Sequence, residues 1–479
     1  MKSGRLILVT GVTGYVGGLL VPRLLAKGYR VRMLVRDPRR LAGRVWLPQV
    51  ELVHGDIFSR AILAQTMQGV SAAYYFIHAM NSGKNYYEKE IESARNFAAV
   101  ADSCGVEHII YLGGLADPDN EIGLHLRSRI QTGDALRQGR VPVTEFRASL
   151  IIGSGSISFE LIRYLTEQFP LLICLPWMHN RTQPIAIQNV LDYLVTVLEN
   201  SNARGKIYEI GGKDVLTYAG TIYAYARLRG LKRRIAILPG ISVNLMAQIA
   251  GKVTPVPARI AGPLLGGMRT DSVVHNNAAS RDFPEIQLMD YATSVRLALE
   301  CLSPGSFETD WENAASSFRI KQEGFFIEGQ QRQLDARPES VYRIITGLGG
   351  RQGWLYLDGL WKLRGLMDRL VGGPGLRGRI SSDEIGEGDI LDYYRVEVLE
   401  TNRLVRLRAE LKAPGLGWME WRIHPQPAGD VVLTQIAFFA PKGAPGFLYW
   451  YLLQPFHHLV FSGLIRAIAR RASENRSTG

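Results

Sequence analysis

The stretch LILVTGVTGYVGGLL, residues 6–20, decides how the amino-terminal part of the chain folds. Its first five residues, Leu6 to Thr10, form a continuous run of the kind found in strands that are buried on both faces. Apolar residues then follow at helical spacing, and Gly28 ends that helix. The glycines at 11, 14 and 17 therefore lie between a buried strand and a helix.

The alternation of strand and helix continues as far as residue 153. Strands are predicted at 30–36, 50–56, 72–80, 108–114 and 143–153, with helices at 85–105 and 122–137. Elements that alternate at this spacing predict an α/β fold, a doubly wound parallel Rossmann sheet.

In such a sheet, glycines between the first strand and the first helix form a turn for the pyrophosphate of a dinucleotide. Gly11 is expected to make the tight turn, Gly14 to let the backbone approach the pyrophosphate, and Gly17 to let the helix pack closely on the sheet. The positive amino terminus of the helix then faces the phosphate charge. A glycine-rich turn that binds nothing is the alternative, and the flanking strand and helix favour nucleotide binding.

The TGxxGxxG motif from Thr10 to Gly17 resembles the short-chain dehydrogenase/reductase superfamily, and more closely its atypical NmrA-like branch. The segments HGDIFS around Asp56, FRASLIIG (146–153), TQPIAIQNV (182–190) and KIYEIGGKDVLTY (206–218) resemble later parts of that family. The resemblance covers residues 1–305 and implies an NAD(P)-binding domain with a small substrate lobe at about 155–305. We predict cofactor contacts from a set of residues at the carboxyl ends of the strands: Thr10, Gly11, Thr13, Gly14, Tyr15, Val16, Gly17, Asp56, Ile57, His78, Ala79, Met80 and Gly113.

The end of the second strand, LVRDPRR, bears on which nicotinamide cofactor binds. An arginine there suits the 2′-phosphate of NADP, whereas a carboxylate suits the free ribose of NAD. Arg36 and Arg39 favour NADP, and Asp37 keeps NAD open as the alternative.

The catalytic residues depart from the family pattern. Most members of the superfamily use a Tyr-x-x-x-Lys pair on one helix and a Ser or Thr at the end of the preceding strand. Here His125 and Arg129 stand at the Tyr and Lys positions, and Gly113 or Gly114 stands where the hydroxyl is expected. Arg129 is predicted to hold the nicotinamide ribose. His125 is either the proton donor or a packing contact at a site without chemistry.

The carboxy-terminal part of the chain changes its sequence period. After a polar linker at 306–317, a helix beginning near Pro338 precedes strands of two-residue period at 392–400, 403–411, 418–425 and 431–441. In the second of these strands, Arg406 is predicted to face outward. Residues 318–473 resemble the helix-grip fold of the START and polyketide-cyclase-like (SRPBCC) superfamily, an α+β domain with an antiparallel sheet, and residues 474–479 form a tail.

A helix-grip fold implies a cavity for an apolar small molecule between the sheet and the final helix. Aromatic residues predicted to line it are Trp418, Trp421, Phe438, Phe439, Trp450, Phe456 and Phe461. The final helix (446–471) has too short an apolar run for a transmembrane span, because Gln454 and Pro455 interrupt it. Peripheral contact with anionic lipid through Arg466, Arg470 and Arg471 stays open.

Composition sets the remaining expectations. The net charge of +12 comes from 56 Lys and Arg against 44 Asp and Glu, but no nucleic-acid-binding motif accompanies it. Three scattered cysteines argue against a disulfide framework or a metal site, and with the absence of a secretory signal they predict a cytoplasmic protein. Neither the oligomeric state nor the substrate can be read from the sequence.

The leading prediction is an NADP-dependent oxidoreductase or isomerase that acts on a small or lipophilic carbonyl or quinone-like compound, with a non-standard proton donor. The alternative is a catalytically inactive NADP(H) sensor or scaffold with a separate domain for a hydrophobic ligand.

Overall fold

The structure is a computed structural model that describes residues 4–41, 44–77, 86–116, 123–254, 256–300, 317–322, 325–379, 385–426 and 430–477. The chain divides into two compact units, residues 1–301 (unit 1) and 302–479 (unit 2). Of the predicted linker at 306–317, only Ser317 is described, and it begins a strand.

Unit 1 alternates strands and helices in its first half. Its elements are β1 (Leu6–Thr10), α1 (Tyr15–Ala26), β2 (Arg30–Val35), β3 (Glu51–His54), α2 (Arg60–Met67), β4 (Ala72–Tyr75), α3 (Tyr86–Ser103), β5 (His108–Gly114), α4 (Leu124–Arg137), β6 (Val143–Ala148), β7 (Ile151–Ile152), α5 (Ile157–Gln168), β8 (Leu171–Cys174), β9 (Arg181–Thr182), β10 (Ile185–Ala186), α6 (Ile187–Thr196), β11 (Ile207–Ile210), β12 (Leu216–Thr217), α7 (Tyr218–Leu228), β13 (Arg234–Ile237), α8 (Val243–Val253), α9 (Ala258–Gly267), α10 (Ala278–Asp282) and α11 (Tyr291–Glu300).

Seven strands of unit 1 form one sheet in the order β11-β6-β5-β4-β1-β2-β3, and every neighbouring pair is parallel. The strand order reverses between β1 and β4, and in open α/β sheets ligands bind outside the carboxyl ends of the strands at such a point. The predicted doubly wound Rossmann sheet is confirmed. All five residues of β1 are buried, as expected for a strand with helices on both faces.

Two strand predictions in unit 1 were wrong in extent. The strand predicted at 72–80 ends at Tyr75, and residues 78–80 lie outside the described residues. The strand predicted at 143–153 is two strands, because β7 leaves the large sheet after Ala148 and pairs with β10 instead.

The described part of unit 2 contains two strands, two helices, five further strands and a final helix. They are β14 (Ser317–Gln322), β15 (Phe325–Leu334), α12 (Pro338–Thr346), α13 (Asp358–Leu370), β16 (Ile390–Leu391), β17 (Tyr394–Glu400), β18 (Leu404–Ala409), β19 (Gly415–Pro425), β20 (Val431–Pro441) and α14 (Gly443–Ser477). The strands form one antiparallel sheet in the order β14-β15-β20-β19-β18-β17-β16. The predicted α+β domain with an antiparallel sheet is confirmed.

Arg406 lies on the strand face opposite the core residues Val405 and Leu407, as predicted, but it is buried rather than exposed to solvent. Arg406 is 6% exposed, and its Nε donates to Oε2 of the buried Glu420 at 2.6 Å on the neighbouring strand β19. Glu420 also accepts from Arg422, so the three side chains form an ion-pair cluster. A buried guanidinium needs such a partner to offset the loss of hydration.

The final helix α14 runs through Pro455 and is longer than predicted. Its carboxy-terminal half packs in the core of unit 2 through Leu464, Ile465 and Ile468. Within the residues described, no helix has both the length and the apolar character that a membrane span requires.

Candidate functional site

The turn between β1 and α1 has the geometry that the glycines predict. Gly11 has φ +68°, and a Cβ atom there would lie 2.8 Å from the carbonyl carbon of Phe76, so a side chain is excluded. A Cβ atom on Gly17 would lie 2.7 Å from the carbonyl oxygen of Gly11, which explains the close packing of α1 on the turn. The Gly14 amide donates to that same oxygen at 2.9 Å.

Gly14 is exposed and is the N-cap residue of α1, and it supplies no side-chain hydrogen bond to the first turn. The usual N-cap residues are Ser, Thr, Asp and Asn, whose oxygen accepts from a first-turn amide. A glycine cap leaves those amides, and the positive end of the helix dipole, for an anion. The turn therefore fits a pyrophosphate group.

Two neighbours of this turn use their side chains for packing. The Thr10 hydroxyl donates to the carbonyl oxygen of Tyr74 at 2.9 Å and accepts from the Phe76 amide at 3.2 Å, which links β1 to β4. Any contact of Thr10 with a nucleotide must therefore come from its backbone. The Tyr15 hydroxyl lies against Gly153, where a Cβ atom would collide with it. Thr13 and Val16 are partly buried in the same turn and helix.

The ends of β2 and β3 continue the same edge of the sheet. Arg36 is exposed directly after β2, and its carbonyl oxygen contacts Nε2 of His54 at 3.1 Å. Asp37 is partly exposed beside it, and the side chain of Arg39 lies outside the described residues. Asp56 caps its own loop by accepting from the Phe58 amide at 3.2 Å.

The buried neighbour of that aspartate, Ile57, belongs to the core between the sheet and α2 and α3. The predicted contacts His78, Ala79 and Met80 all fall outside the part of the chain that the structure describes.

β5 lies on the far side of β4 from β1, and its last two residues, Gly113 and Gly114, carry no hydroxyl group. Gly113 is buried, and a Cβ atom there would lie 2.9 Å from Oε1 of Glu145. A Cβ atom on Gly114 would lie 2.7 Å from Cδ2 of Leu126. The space beside Gly113 is thus filled by Glu145 of β6, and the space beside Gly114 is filled by Leu126 from the first turn of α4.

Arg129 on α4 is directed at the end of β5. Its Nη2 donates to the carbonyl oxygen of Leu112, and its guanidinium carbon lies 4.9 Å from the centre of the Tyr111 ring. Its Nη1 is buried, and no described residue provides a hydrogen-bond acceptor for it. A buried guanidinium nitrogen of this kind, without an acceptor, fits a ligand oxygen.

Tyr111, beside Arg129, is poorly placed to donate a proton to a ligand. It is fully buried, and its hydroxyl donates to the backbone oxygen of Arg129 at 2.8 Å. Burial raises the pKa of Tyr111 far above its ordinary value, against a smaller opposing effect of the Arg129 charge. His125 lies one turn before Arg129, partly buried, with Nδ1 shielded from solvent.

Three charged residues near the candidate site escaped the sequence reasoning. Glu90 on α3 is buried and accepts from the Ser128 hydroxyl on α4. Glu145 is buried on β6 between Arg137 and Arg147. Nη2 of Arg44 comes 3.9 Å from the Cβ position of Gly18 on α1, which adds a cation beside the glycine turn. In the sequence, the one signal for Glu90 and Glu145 is that each carboxylate occupies a position where the pattern of its helix or strand predicts an apolar residue.

Unit 2 contains a cavity of about 290 Å³ between the sheet, α13 and α14. Six of the seven aromatic residues predicted to line it do so. The exception is Trp421, which faces the core and donates from Nε1 to Oε1 of Gln435 at 2.9 Å. The cavity opens among exposed apolar side chains of α13 and of the first half of α14: Leu360, Leu363, Met367 and Phe456.

Comparison with known protein families gives separate matches for the two units. Residues 3–150 match the NmrA-like family. Residues 324–464 match a family described as "Protein of unknown function (DUF2867)". The first half of unit 1 is thus similar to the NmrA-like family, and unit 2 is similar to the DUF2867 family.

Among curated relatives, the chain is 23% identical over 259 residues to the photosystem II assembly factor Ycf39 of Trieres chinensis, a match that spans 51% of this chain and 76% of that protein. It is 36% identical over 113 residues to a putative dihydroflavonol 4-reductase of Synechocystis sp., but that match spans 22% of this chain and only 32% of the relative. Among solved structures, Citrobacter sp. triphenylmethane reductase complexed with NADP(H) superimposes with a TM-score of 0.50 at 21% identity, over 61% of this chain and 99% of the reductase. That likeness shows the fold of unit 1.

Proposed function

We propose that unit 1 binds NADP(H) and acts as an oxidoreductase or isomerase on a small or lipophilic carbonyl or quinone-like compound. The observation that carries the proposal is the β1–α1 turn, in which Gly11 cannot hold a side chain and Gly14 caps the helix with bare backbone. The reductase of the same fold from Citrobacter sp. is complexed with NADP(H), which agrees with this proposal.

The cofactor would lie along the carboxyl edge of the sheet. The first-turn amides of α1 would bind the pyrophosphate, and the exposed Arg36 would bind a 2′-phosphate by the planar fork of its guanidinium. Asp56 would lie near the adenine, and the buried Nη1 of Arg129 would bind a hydroxyl of the nicotinamide ribose. When bound, the nicotinamide supplies a hydride donor or acceptor.

A side chain of this protein must then donate a proton to the substrate oxygen, or accept one from it. His125 shares the helix face of Arg129, and an imidazole is chemically able to donate a proton near neutral pH. Tyr111 is excluded from this role because its hydroxyl is buried and already donates to a backbone oxygen.

A second candidate, an NADP(H) sensor or scaffold without catalysis, has its own support. The position that holds a hydroxyl in most of the superfamily is Gly113 or Gly114 here. The Glu145 carboxylate fills the space beside Gly113, and Leu126 fills the space beside Gly114. A site that only binds the cofactor needs neither this hydroxyl nor a proton donor.

For unit 2 the proposed role is to bind an apolar small molecule, in the manner of a helix-grip domain. The cavity and its aromatic lining support this role. The exposed apolar residues Leu363 on α13 and Phe456 on α14, which line the cavity, also favour peripheral contact with a lipid surface at this end of the unit.

Titration of the full chain with NADPH and with NADH, followed by tryptophan fluorescence, tests cofactor binding. Single-turnover oxidation of bound NADPH with a panel of carbonyl compounds and quinones then separates the enzyme from the sensor. Binding with turnover supports the first candidate, and tight binding without turnover of any compound supports the second. If neither coenzyme binds, both candidates fail.

A further inference from the structure

The cavity of unit 2 is apolar except at one place. Of the residues described as lining it, Arg364 on α13 alone carries a formal charge, and no acidic side chain is among them. Its Nη2 donates to the hydroxyl of Tyr449 on α14, and its guanidinium carbon lies 5.0 Å from the centre of that ring.

A second polar group stands next to this arginine. The ring of His457 lies 6.5 Å from the ring of Tyr449 and 5.6 Å from that of Trp450. Burial, and to a smaller extent the Arg364 charge, lowers the pKa of His457 to about 4, so the imidazole is neutral at physiological pH. Its Nδ1 is buried and receives no hydrogen bond from the described residues.

The half-buried Arg364 guanidinium has the Tyr449 hydroxyl as a partner but no carboxylate. Among the described residues no carboxylate forms an ion pair with Arg364, unlike the buried Arg406, which pairs with Glu420. The guanidinium is half-buried and faces an otherwise apolar cavity, where an anion would offset the cost of its partial loss of hydration. A ligand that brings its own negative charge into the cavity would supply that anion, whereas a cationic ligand would be repelled.

The lining suits the rest of such a ligand. Aromatic side chains from β19, β20 and α14 enclose the space, and its volume of about 290 Å³ is at the lower end of small-molecule sites, roughly 300–1,000 Å³. A medium-chain or compact cyclic body fits that size better than a phospholipid with two chains.

We propose that this cavity binds an amphiphilic monocarboxylate, with the apolar body against the aromatic lining and the carboxylate on Arg364, beside Tyr449 and His457. The inference rests on the proposed ligand-binding role of unit 2 and is independent of NADP(H) binding by unit 1. The inference specifies that the ligand is negatively charged, whereas the apolar lining alone would specify only an apolar ligand.

The test uses the full chain and N-phenyl-1-naphthylamine, a neutral fluorophore that brightens in apolar cavities. Three displacers of equal chain length, decanoate, decanol and decylamine, are compared at neutral pH. Decanoate is expected to displace the probe at about tenfold lower concentration than decanol, the advantage of a charge-assisted hydrogen bond, and decylamine is expected to be the weakest.

Variants assign the preference to Arg364. Arg364→Met should weaken decanoate about tenfold and leave the probe and decanol within about twofold, and Arg364→Lys should keep part of the preference. Lys362→Met is the matched control, because Lys362 is on the same helix but exposed and paired with Asp358 at 2.9 Å. If Arg364→Met folds poorly, Tyr449→Phe provides a second, milder variant. It should weaken decanoate binding by a smaller factor than Arg364→Met.

The outcomes separate the inference from the proposal on which it rests. If the probe binds but decanoate and decanol displace it equally, or if Arg364→Met weakens both alike, the assigned charge is wrong and only an apolar site remains. If the probe does not bind, the ligand-binding role of unit 2 fails together with this inference.

Discussion

Gly113, at the end of β5, lies beside the carboxylate of Glu145 on β6, where a Cβ atom would be 2.9 Å from Oε1. Arg147 holds that oxygen by an ion pair of 2.7 Å, and Arg137 holds the other oxygen of the same carboxylate. A serine at Gly113 would need space that a doubly paired, fully buried carboxylate occupies. The absence of a side chain at Gly113 is therefore part of how β5, β6 and α4 pack, and more than one residue would have to change to place a hydroxyl there.

Gly133 on α4 gives a stability test of this cluster, because its Cβ position also overlaps the Glu145 carboxylate. Alanine is the better helix former by about 1 kcal/mol. We nevertheless expect Gly133→Ala to lower the free energy of unfolding by about 1–3 kcal/mol, the usual cost of overpacking, in denaturant melts of the full chain. Gly266→Ala in α9 is the control, since no atom lies within 4 Å of that Cβ position and stability should stay equal or rise. A Gly133→Ala protein as stable as the parent would mean that the carboxylate moves freely.

The bare cap of α1 predicts a specific effect on cofactor affinity. In Gly14→Ala the added methyl group would lie at the exposed turn, with only the Gly11 oxygen near it at 3.1 Å. The fold should tolerate this change, whereas a pyrophosphate could no longer approach the first-turn amides closely. We expect the Kd for NADPH to rise about tenfold or more, measured by tryptophan fluorescence, with Gly266→Ala unchanged. An unaltered Kd in Gly14→Ala would remove the turn as the phosphate site.

Arg36 is expected to set the preference for NADPH over NADH. Loss of its contact with a 2′-phosphate in Arg36→Ala should raise the Kd for NADPH about tenfold and leave that for NADH within about twofold. Lys27→Ala removes a charge just past the far end of α1, at its C-cap, and controls for net charge. Asp37→Ala addresses the opposite possibility: if it weakens NADH and strengthens NADPH, the aspartate has been selecting for NAD.

His125 is expected to matter for turnover and little for binding. General acid catalysis contributes roughly 10²–10⁴-fold, so His125→Ala should slow single-turnover oxidation of NADPH about a hundredfold or more while the Kd changes less than twofold. Arg129→Met should instead raise the Kd, because Nη1 would no longer reach a ligand oxygen. Equal rates in His125→Ala and the parent would exclude the histidine as proton donor.

The sequence predicts the parallel sheet of unit 1 well because its signals are local: a buried apolar run, a glycine turn and a helix with one apolar face. It predicts less where a residue's surroundings come from distant segments. Arg406 follows the outward positions of its strand, yet Glu420, fourteen residues later, makes it a buried ion pair. Trp421 resembles its aromatic neighbours in sequence, but the direction of its side chain on β19 places it in the core. The buried position of Glu145 depends on space left by two glycines and on ion pairs with two arginines. These four residues come from three elements, so no short sequence pattern predicts that the carboxylate is buried.

His108, at the start of β5, predicts how stability depends on pH. It is 1% exposed, and its Nε2 lies 2.7 Å from the hydroxyl of Thr144, which itself donates to the backbone oxygen of Ala203 at 2.6 Å. Because that hydroxyl hydrogen is used, Nε2 must donate, and the arrangement fits a neutral imidazole. Burial, with smaller contributions from the charges of Arg204 and Arg5, lowers the pKa of His108 from 6.5 to about 4.

Below pH 6.5 the unfolded chain takes up a proton on this histidine, whereas the folded chain does so only near pH 4. The stabilising contribution is therefore complete above pH 6.5 and is lost as the pH falls towards 4, by up to about 3 kcal/mol. Denaturant melts of the full chain between pH 7.5 and 4.5 should show a steeper loss of stability in the parent than in His108→Gln, whose amide donates to Thr144 without titrating. His457 and the carboxylates titrate in both proteins, so the difference between the two curves isolates His108. Parallel curves would mean that His108 gains no proton on unfolding, and the assignment of a buried, neutral imidazole would then be wrong.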